Sequence, residues 1–201
     1  MFIKLFDSKV QPVAQYGAEL WGLDQSAQYC ESVHLYALKR FLGVDRRTPN
    51  DMVYGETGRY PIVINASIKC IKYWFKLISM HESRLPYKSY IMLRLLDEKG
   101  CNNWVTKIRQ CLFMNGFGIV WYSQGVGDVA AFINCFRQRL VDCNWQNWYS
   151  HIHNSERFIM YSSFNGISHD IKPYLLLDVD RHLKRTMTKF RFGVSDITVH
   201  R

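Results

Sequence analysis

Five apolar residues after Pro61 recur at spacings of four, three, four and three: Ile64, Ile68, Ile71, Phe75 and Ile78. That period belongs to an α-helix with one face toward a core. A half-buried strand would instead alternate every second residue. Pro61 stands where proline's fixed φ and missing donor suit a helix start. The stripe is apolar and faces a core. Beside it, also at three and four, run Lys69, Lys72 and Lys76.

The same period recurs along the chain, and convincing strand alternation is almost absent. Ser26 to Leu42 reads as a helix with Cys30, Val33, Ala37 and Phe41 on one stripe and Leu38 beside it. Gly43 is its C-terminal stop. Thr48-Pro49 reads as an N-cap and first helical position, giving a short helix to Gly55. Gly55, Gly58 and Pro61 then make a turn. Pro86 opens a helix with Tyr90, Leu93 and Leu96 inward, and another follows from Asn103 to Met114. Ile119 to Tyr122 fits a short strand or a buried helical turn equally. Asp128 is the N-cap of a helix with Phe132, Phe136, Leu140 and Cys143 on one face. Asn154 to Pro173 is polar, with a turn at Asn165-Gly166, and reads as a linker. The last helix runs from Tyr174 to Phe190 with Leu176, Val179, Leu183, Met187 and Phe190 inward. The fold expected is mainly α: an irregular bundle of about six to eight helices, with room for two subdomains.

Hydrophobic residues make up 48% of the 201, which excludes a disordered chain. The formal charge of +9 favours an anionic partner such as nucleic acid, or an acidic protein or membrane surface. No apolar run is long enough to span a bilayer, and charges interrupt the N-terminus where a signal core would sit. The six cysteines form no Cys-X-X-Cys pair, and their apolar neighbours suit reduced, buried thiols of an intracellular protein.

Three basic clusters are candidate phosphate contacts. Lys69, Lys72 and Lys76 are spaced to meet successive phosphates from one helical face, beside Tyr73 and Trp74. Arg181, Lys184, Arg185, Lys189 and Arg191 form a second cluster, which the helix dipole alone would also favour. Lys39, Arg40, Arg46 and Arg47 surround Gly43 as a third. Each has a plain alternative as a solvated face. Trp145, Trp148 and Tyr149 are spaced for a core row, although such rings can also stack on bases. Cys135, Cys143, His151 and His153 are too widely spaced for a zinc site. Asp178 and Asp180, two apart on a helix, point in different directions and would share no metal. No nucleophile elbow or phosphate loop is present.

Specific motifs extend this reading. Tyr16-Gly-Ala-Glu-Leu-Trp-Gly22 is followed by Arg47-Thr-Pro-Asn-Asp51 and the stretch through Ile62. Further on come Phe136-Arg-Gln-Arg-Leu140 through Trp148, then Lys189-Phe-Arg-Phe-Gly-Val-Ser-Asp196. In this order they resemble the region just beyond the catalytic palm of non-LTR (LINE-type) retrotransposon reverse transcriptases, and the likeness covers nearly the whole chain. The resemblance implies a thumb-like helical region over 1–153, a linker over 154–173, and a basic helix and tail over 174–201. It implies RNA or an RNA–DNA hybrid as partner, the polymerase palm as neighbour in the parent protein, and target-primed integration as the parent process. No two aspartates are adjacent in this chain, so the paired metal-binding aspartates of such a polymerase are missing. The segment is therefore expected to be non-catalytic and to need no cofactor.

Two other classes fit parts of the pattern. One is a helical nucleic-acid-binding or protein-interaction module unrelated to transposition, with a helix-turn-helix around Leu38 to Gly55. The other is an enzyme whose site is assembled from scattered residues.

Overall fold

A computed structural model describes residues 2–164 and 168–193 of the chain. Among these the fold is mainly α and has no strand; an isolated bridge joins Thr57 to Ile171. No helix among the described residues is long and apolar enough to cross a membrane. Contacts divide the chain into two units: Val13–Glu31 with Ile62–Asp142, and Met1–Pro12 with Ser32–Pro61 and Cys143–Arg201. This division differs from boundaries at 154 and 173. The Asn165-Gly166 turn and the tail beyond Gly193 lie outside the described residues.

The first of these units is organised around the helix Ile62–Ile78. Ile64, Ile68, Ile71 and Phe75 are buried, as their spacing predicts, and Ile78 is half-buried. Ala66, Cys70, Trp74 and Leu77 are buried too, so the helix is sheathed on more than one side. Small residues make this possible. The helix Ala18–Trp21 ends at Gly22, where a Cβ would stand 2.9 Å from that of Ala66. The Cys70 thiol donates to Ala18 O at 3.1 Å, and burial pushes its pKa up to about 12. Trp74 stacks on Trp121 and donates to the Tyr90 hydroxyl, which in turn donates to Gln124.

Two caps set helix starts in this unit. Asn103 accepts from Val105 N and Thr106 N, and Thr106 Oγ1 accepts from Asn103 N, closing a capping box on Trp104–Met114. Asp128 accepts from Ala131 N at the head of Val129–Asn154. The segment Gly118–Ser123 is a helix that buries Val120 and Trp121 and exposes Ile119 and Tyr122. On Leu85–Glu98 Tyr90 points inward as expected. Leu96 does not, and the neighbouring Asp97 is buried instead. Its carboxylate takes Nε and Nη2 of Arg109 at 2.9 Å and the Thr106 hydroxyl at 2.7 Å. The Arg109 hydrogen bonds hold the Asp97 carboxyl below the usual range, against the cost of burial.

The second unit is built around the helix Asn50–Thr57, in which every residue from Met52 to Thr57 is buried. Gly55 is not part of a turn, as its sequence context predicts, but lies inside this helix. A Cβ there would stand 2.5 Å from Trp148 Cζ2 and 2.7 Å from Tyr161 Oη, so glycine is needed for close approach. The stop comes at Gly58, with φ +62°. Leu38, Leu42, Ile152, Phe158, Leu175 and Phe192 complete this core.

Three expectations are corrected here. Ser26–Leu42 is helical over the expected range, but Val33 is 45% exposed and the buried row is Ala27, His34, Leu38 and Leu42. Within the expected linker over 154–173, Phe158 and Tyr161 are buried in the core, and Lys172 N donates to Glu56 O at 3.1 Å. The last helix is broken into Pro173–Leu176 and Arg181–Arg191, with Asp180 capping the second. Leu176, Val179, Leu183, Met187 and Phe190, expected inward, are all exposed. Of the cysteines, Cys70 is buried but Cys101 and Cys135 are exposed.

Candidate nucleic-acid interface

Lys72 and Lys76 stand exposed, one turn apart, on the helix Ile62–Ile78. Among the described residues neither is in an ion pair. Lys69 shares their face but is half-buried, and its ammonium donates to Gln15 O at 3.0 Å. Asn65, one turn earlier, accepts from Arg137 Nη1 at 3.1 Å, which brings a further exposed cation to this face. The face therefore carries Arg137, Lys72 and Lys76 at the surface, with Lys69 held beneath. The aromatic neighbours are not available to bases. Trp74 is buried, and Tyr73 is half-buried edge-on to Trp104.

The other two basic clusters, read separately in the sequence, meet in space. Gly43 takes φ +71° and ends Ser26–Leu42, with Val44 N donating to Lys39 O. With no side chain on Gly43, the stem of Arg185 lies across its backbone; a Cβ would stand 2.5 Å from Arg185 Cγ and Cδ. Arg185 Nη2 donates to Arg40 O at 3.4 Å, and Lys184 Nζ to Leu175 O at 3.0 Å. Lys39 Nζ closes over the turn onto Arg46 O at 2.9 Å, and burial lowers its pKa against the opposing pull of Asp45. Arg46 lies over the Tyr36 ring. Arg40, Arg46, Arg47 and Arg181 are exposed. Arg191, by contrast, is consumed inside the fold by Glu56, with which it pairs at 2.7 Å.

The remaining candidates are structural. Trp148 is buried and donates to Asp51 O at 2.8 Å; Trp145 stacks on Tyr149, which packs against His153. His151 contacts Asp51 Oδ2 at 2.9 Å. Asp180 serves as a helix cap rather than lying mid-helix as its spacing suggested. Carboxylates are instead dispersed singly among cations: Asp7 with Arg59, Asp24 with Lys107, Asp97 with Arg109, Glu98 with Arg94. Among the described residues no three His, Cys, Asp or Glu side chains gather as a metal site. The arrangement offers fixed positive charge, with Lys69, Lys184 and Arg185 held by backbone carbonyls.

Sequence reasoning missed Arg137, whose partner lies 72 residues away, and the joining of Arg185 to Arg40 across 145 residues. Arg137 does stand within the motif Phe136-Arg-Gln-Arg, but only its long-range contact assigns it to the lysine face. A helix-turn-helix reading of Leu38 to Gly55 meets a physical obstacle. Its second helix is buried from Met52 to Thr57 and has no face to place in a groove. No known protein family, curated protein or solved structure matches this chain.

Proposed function

We propose that this chain is the thumb and following connector of a LINE-type reverse transcriptase, and that it grips an RNA–DNA hybrid without carrying out chemistry. The observation that carries the binding reading is the pair Lys72 and Lys76, exposed and in no ion pair among the described residues, one turn apart on a helix whose other faces are packed. Ammonium groups so placed meet successive phosphates and release counterions, with little dependence on sequence. Arg137 extends the row, and the chain's charge of +9 supplies the wider field. The assignment to the retrotransposon class rests on the ordered sequence motifs from Tyr16 to Asp196. On this reading the partner protein is the polymerase palm of the same polyprotein, and the protein works in the nucleus or cytoplasm.

The test is a titration of an RNA–DNA hybrid at several salt concentrations. Each phosphate contact contributes about 0.9 to the slope of log affinity against log salt on duplex, so Lys72→Ala with Lys76→Ala should flatten it by up to about 1.8. Circular dichroism should be unchanged, because neither side chain is in the core. Equal slopes for wild type and variant would reject this face.

A further inference from the structure

The helix Arg181–Arg191 lays an apolar row on the surface of the second unit. Leu183, Met187 and Phe190 are exposed, and spacings of four and three put them on one stripe. Phe190 packs on Phe164 with ring centroids 5.7 Å apart, so the row continues onto the helix Ile159–Phe164. Met160 of that helix comes close to Gly193, where a Cβ would stand 3.0 Å from its Sδ. Phe164 and Met160 are exposed too, so five apolar side chains form one strip at the surface. Single exposed apolar residues need no explanation, whereas a contiguous strip marks an interaction surface.

The charge along the strip has one sign. Arg181–Arg191 carries five cations and neither Asp nor Glu: Arg181, Lys184, Arg185, Lys189 and Arg191. The helical period places His182 and Lys189 along one flank of the row and Lys184 along the other. His182 and Lys189 are exposed, and among the described residues neither is in an ion pair. Lys184 is held by the Leu175 carbonyl, which fixes its position and leaves its charge. The nearest carboxylate in sequence, that of Asp180, accepts from the His182 N–H at 2.6 Å as a helix cap.

A partner for this strip has to bring an apolar stripe and negative charge together. Nucleic acid brings the charge without the stripe. A second copy brings the stripe but sets cations against cations, so self-association through it is weak. The strip is also narrow, bordered by Thr186 and Lys189, which suits a ridge of helical side chains better than the acyl chains of a bilayer. We propose that it docks an amphipathic helix rich in Glu and Asp, carried by a partner protein. Leu183, Met187 and Phe190 meet the apolar face of that helix, and His182 and Lys189 meet its carboxylates. The inference rests on no part of the nucleic-acid reading, whose residues Lys72 and Lys76 belong to the other unit.

The experiment uses the full chain and a synthetic helical peptide of about four turns, with Leu on one stripe and Glu elsewhere. Fluorescence anisotropy follows binding. The comparisons are a peptide of the same composition with its leucines scattered, one with Lys for every Glu, and phosphatidylserine vesicles. The striped acidic peptide should bind at least about tenfold tighter than either other peptide. Leu183→Gln with Met187→Gln should weaken it about tenfold, since two apolar contacts are lost, and leave affinity for an RNA–DNA hybrid within about twofold. Lys189→Glu should weaken it about threefold at low salt and less as salt rises. Equal binding of striped and scattered acidic peptides would overturn the proposal, because the contact would then be the general pull of a basic chain. A double variant that binds the striped peptide like wild type would also overturn it. Tight binding to the vesicles, lost in the double variant, with none to the peptide would assign the strip to a lipid surface instead. Loss of hybrid binding in the double variant would make the strip part of the nucleic-acid surface and overturn the proposal as well.

Discussion

Arg191 Nε lies 2.7 Å from Glu56 Oε1, an ion pair between residues 135 apart in the chain, with the Glu56 side chain fully buried. Glu56 Oε2 faces the Tyr161 hydroxyl at 3.2 Å. Burial, with the Glu56 charge beside it, pushes the Tyr161 pKa well above its ordinary value. The pair ties the helix Asn50–Thr57 to Arg181–Arg191, two elements of one unit that the sequence gives no reason to join. Removing Arg191 strands the Glu56 carboxylate, which is fully buried, whereas the Arg191 side chain is 16% exposed and also donates to Phe164 O at 3.4 Å. Arg191→Met should therefore cost about 3–5 kcal/mol in denaturant unfolding. Replacing both partners, Glu56→Met with Arg191→Met, should recover much of that loss, because no charge is left unpaired. A single variant within 1 kcal/mol of wild type would show that the pair does not hold this core.

His169 provides a pH-dependent test of the same unit. The ring is buried, stacked on Tyr60 at 4.6 Å and edge-on to Trp148 at 4.7 Å, with no side-chain hydrogen-bond partner for either ring nitrogen among the described residues. Burial lowers its pKa below 6.5; the residue's own backbone acts against this, Lys172 acts with it, and Asp170 acts against it. The folded state therefore prefers the neutral ring. Between the lowered folded pKa and 6.5 the unfolded chain binds more protons, so stability rises with pH across that window. The contribution is fully present above pH 6.5 and is lost as pH falls through the folded value. His169→Phe keeps the aromatic stack and removes the titration. Its melting temperature should fall less than that of wild type when pH is lowered from neutral to about 5. Equal falls would assign the acid sensitivity to other groups.

Local signals in the sequence located the elements well. Pro61 and the stripe after it set Ile62–Ile78, Asn103 set the cap of Trp104–Met114, and Gly43 set a stop that requires positive φ. Each acts within a few residues, where backbone sterics and capping decide. What the sequence hid was long-range. Leu96 is the residue its spacing turns inward, yet its neighbour Asp97 is the one buried, because the partner Arg109 lies on the next helix. Gly55 looked like a helix breaker because the rings that exclude a Cβ, those of Trp148 and Tyr161, are about a hundred residues away. In the candidate interface the spacing of Lys72 and Lys76 was legible. The carbonyl that engages Lys69 and the contact that brings in Arg137 were not.

The helix Arg181–Arg191 shows how periodicity can find two faces and assign them the wrong way round. Leu183, Met187 and Phe190 share a stripe, yet they are 51%, 42% and 38% exposed. The opposite side is fixed by specific polar anchors: Arg185 across Gly43, Lys184 on Leu175 O, and the Thr188 hydroxyl bonded to that of Tyr174 at 2.7 Å. Arg191 adds its pair with Glu56. Once these hold, the apolar row has no core to enter. Leu183→Gln with Met187→Gln should then change unfolding free energy by no more than about 0.5 kcal/mol, as for ordinary surface positions. The same pair of changes should reduce concentration-dependent association in sedimentation, because an exposed apolar row promotes it. A loss above about 2 kcal/mol, the cost of core truncation, would mean that the row is buried in solution and the helix lies the other way round.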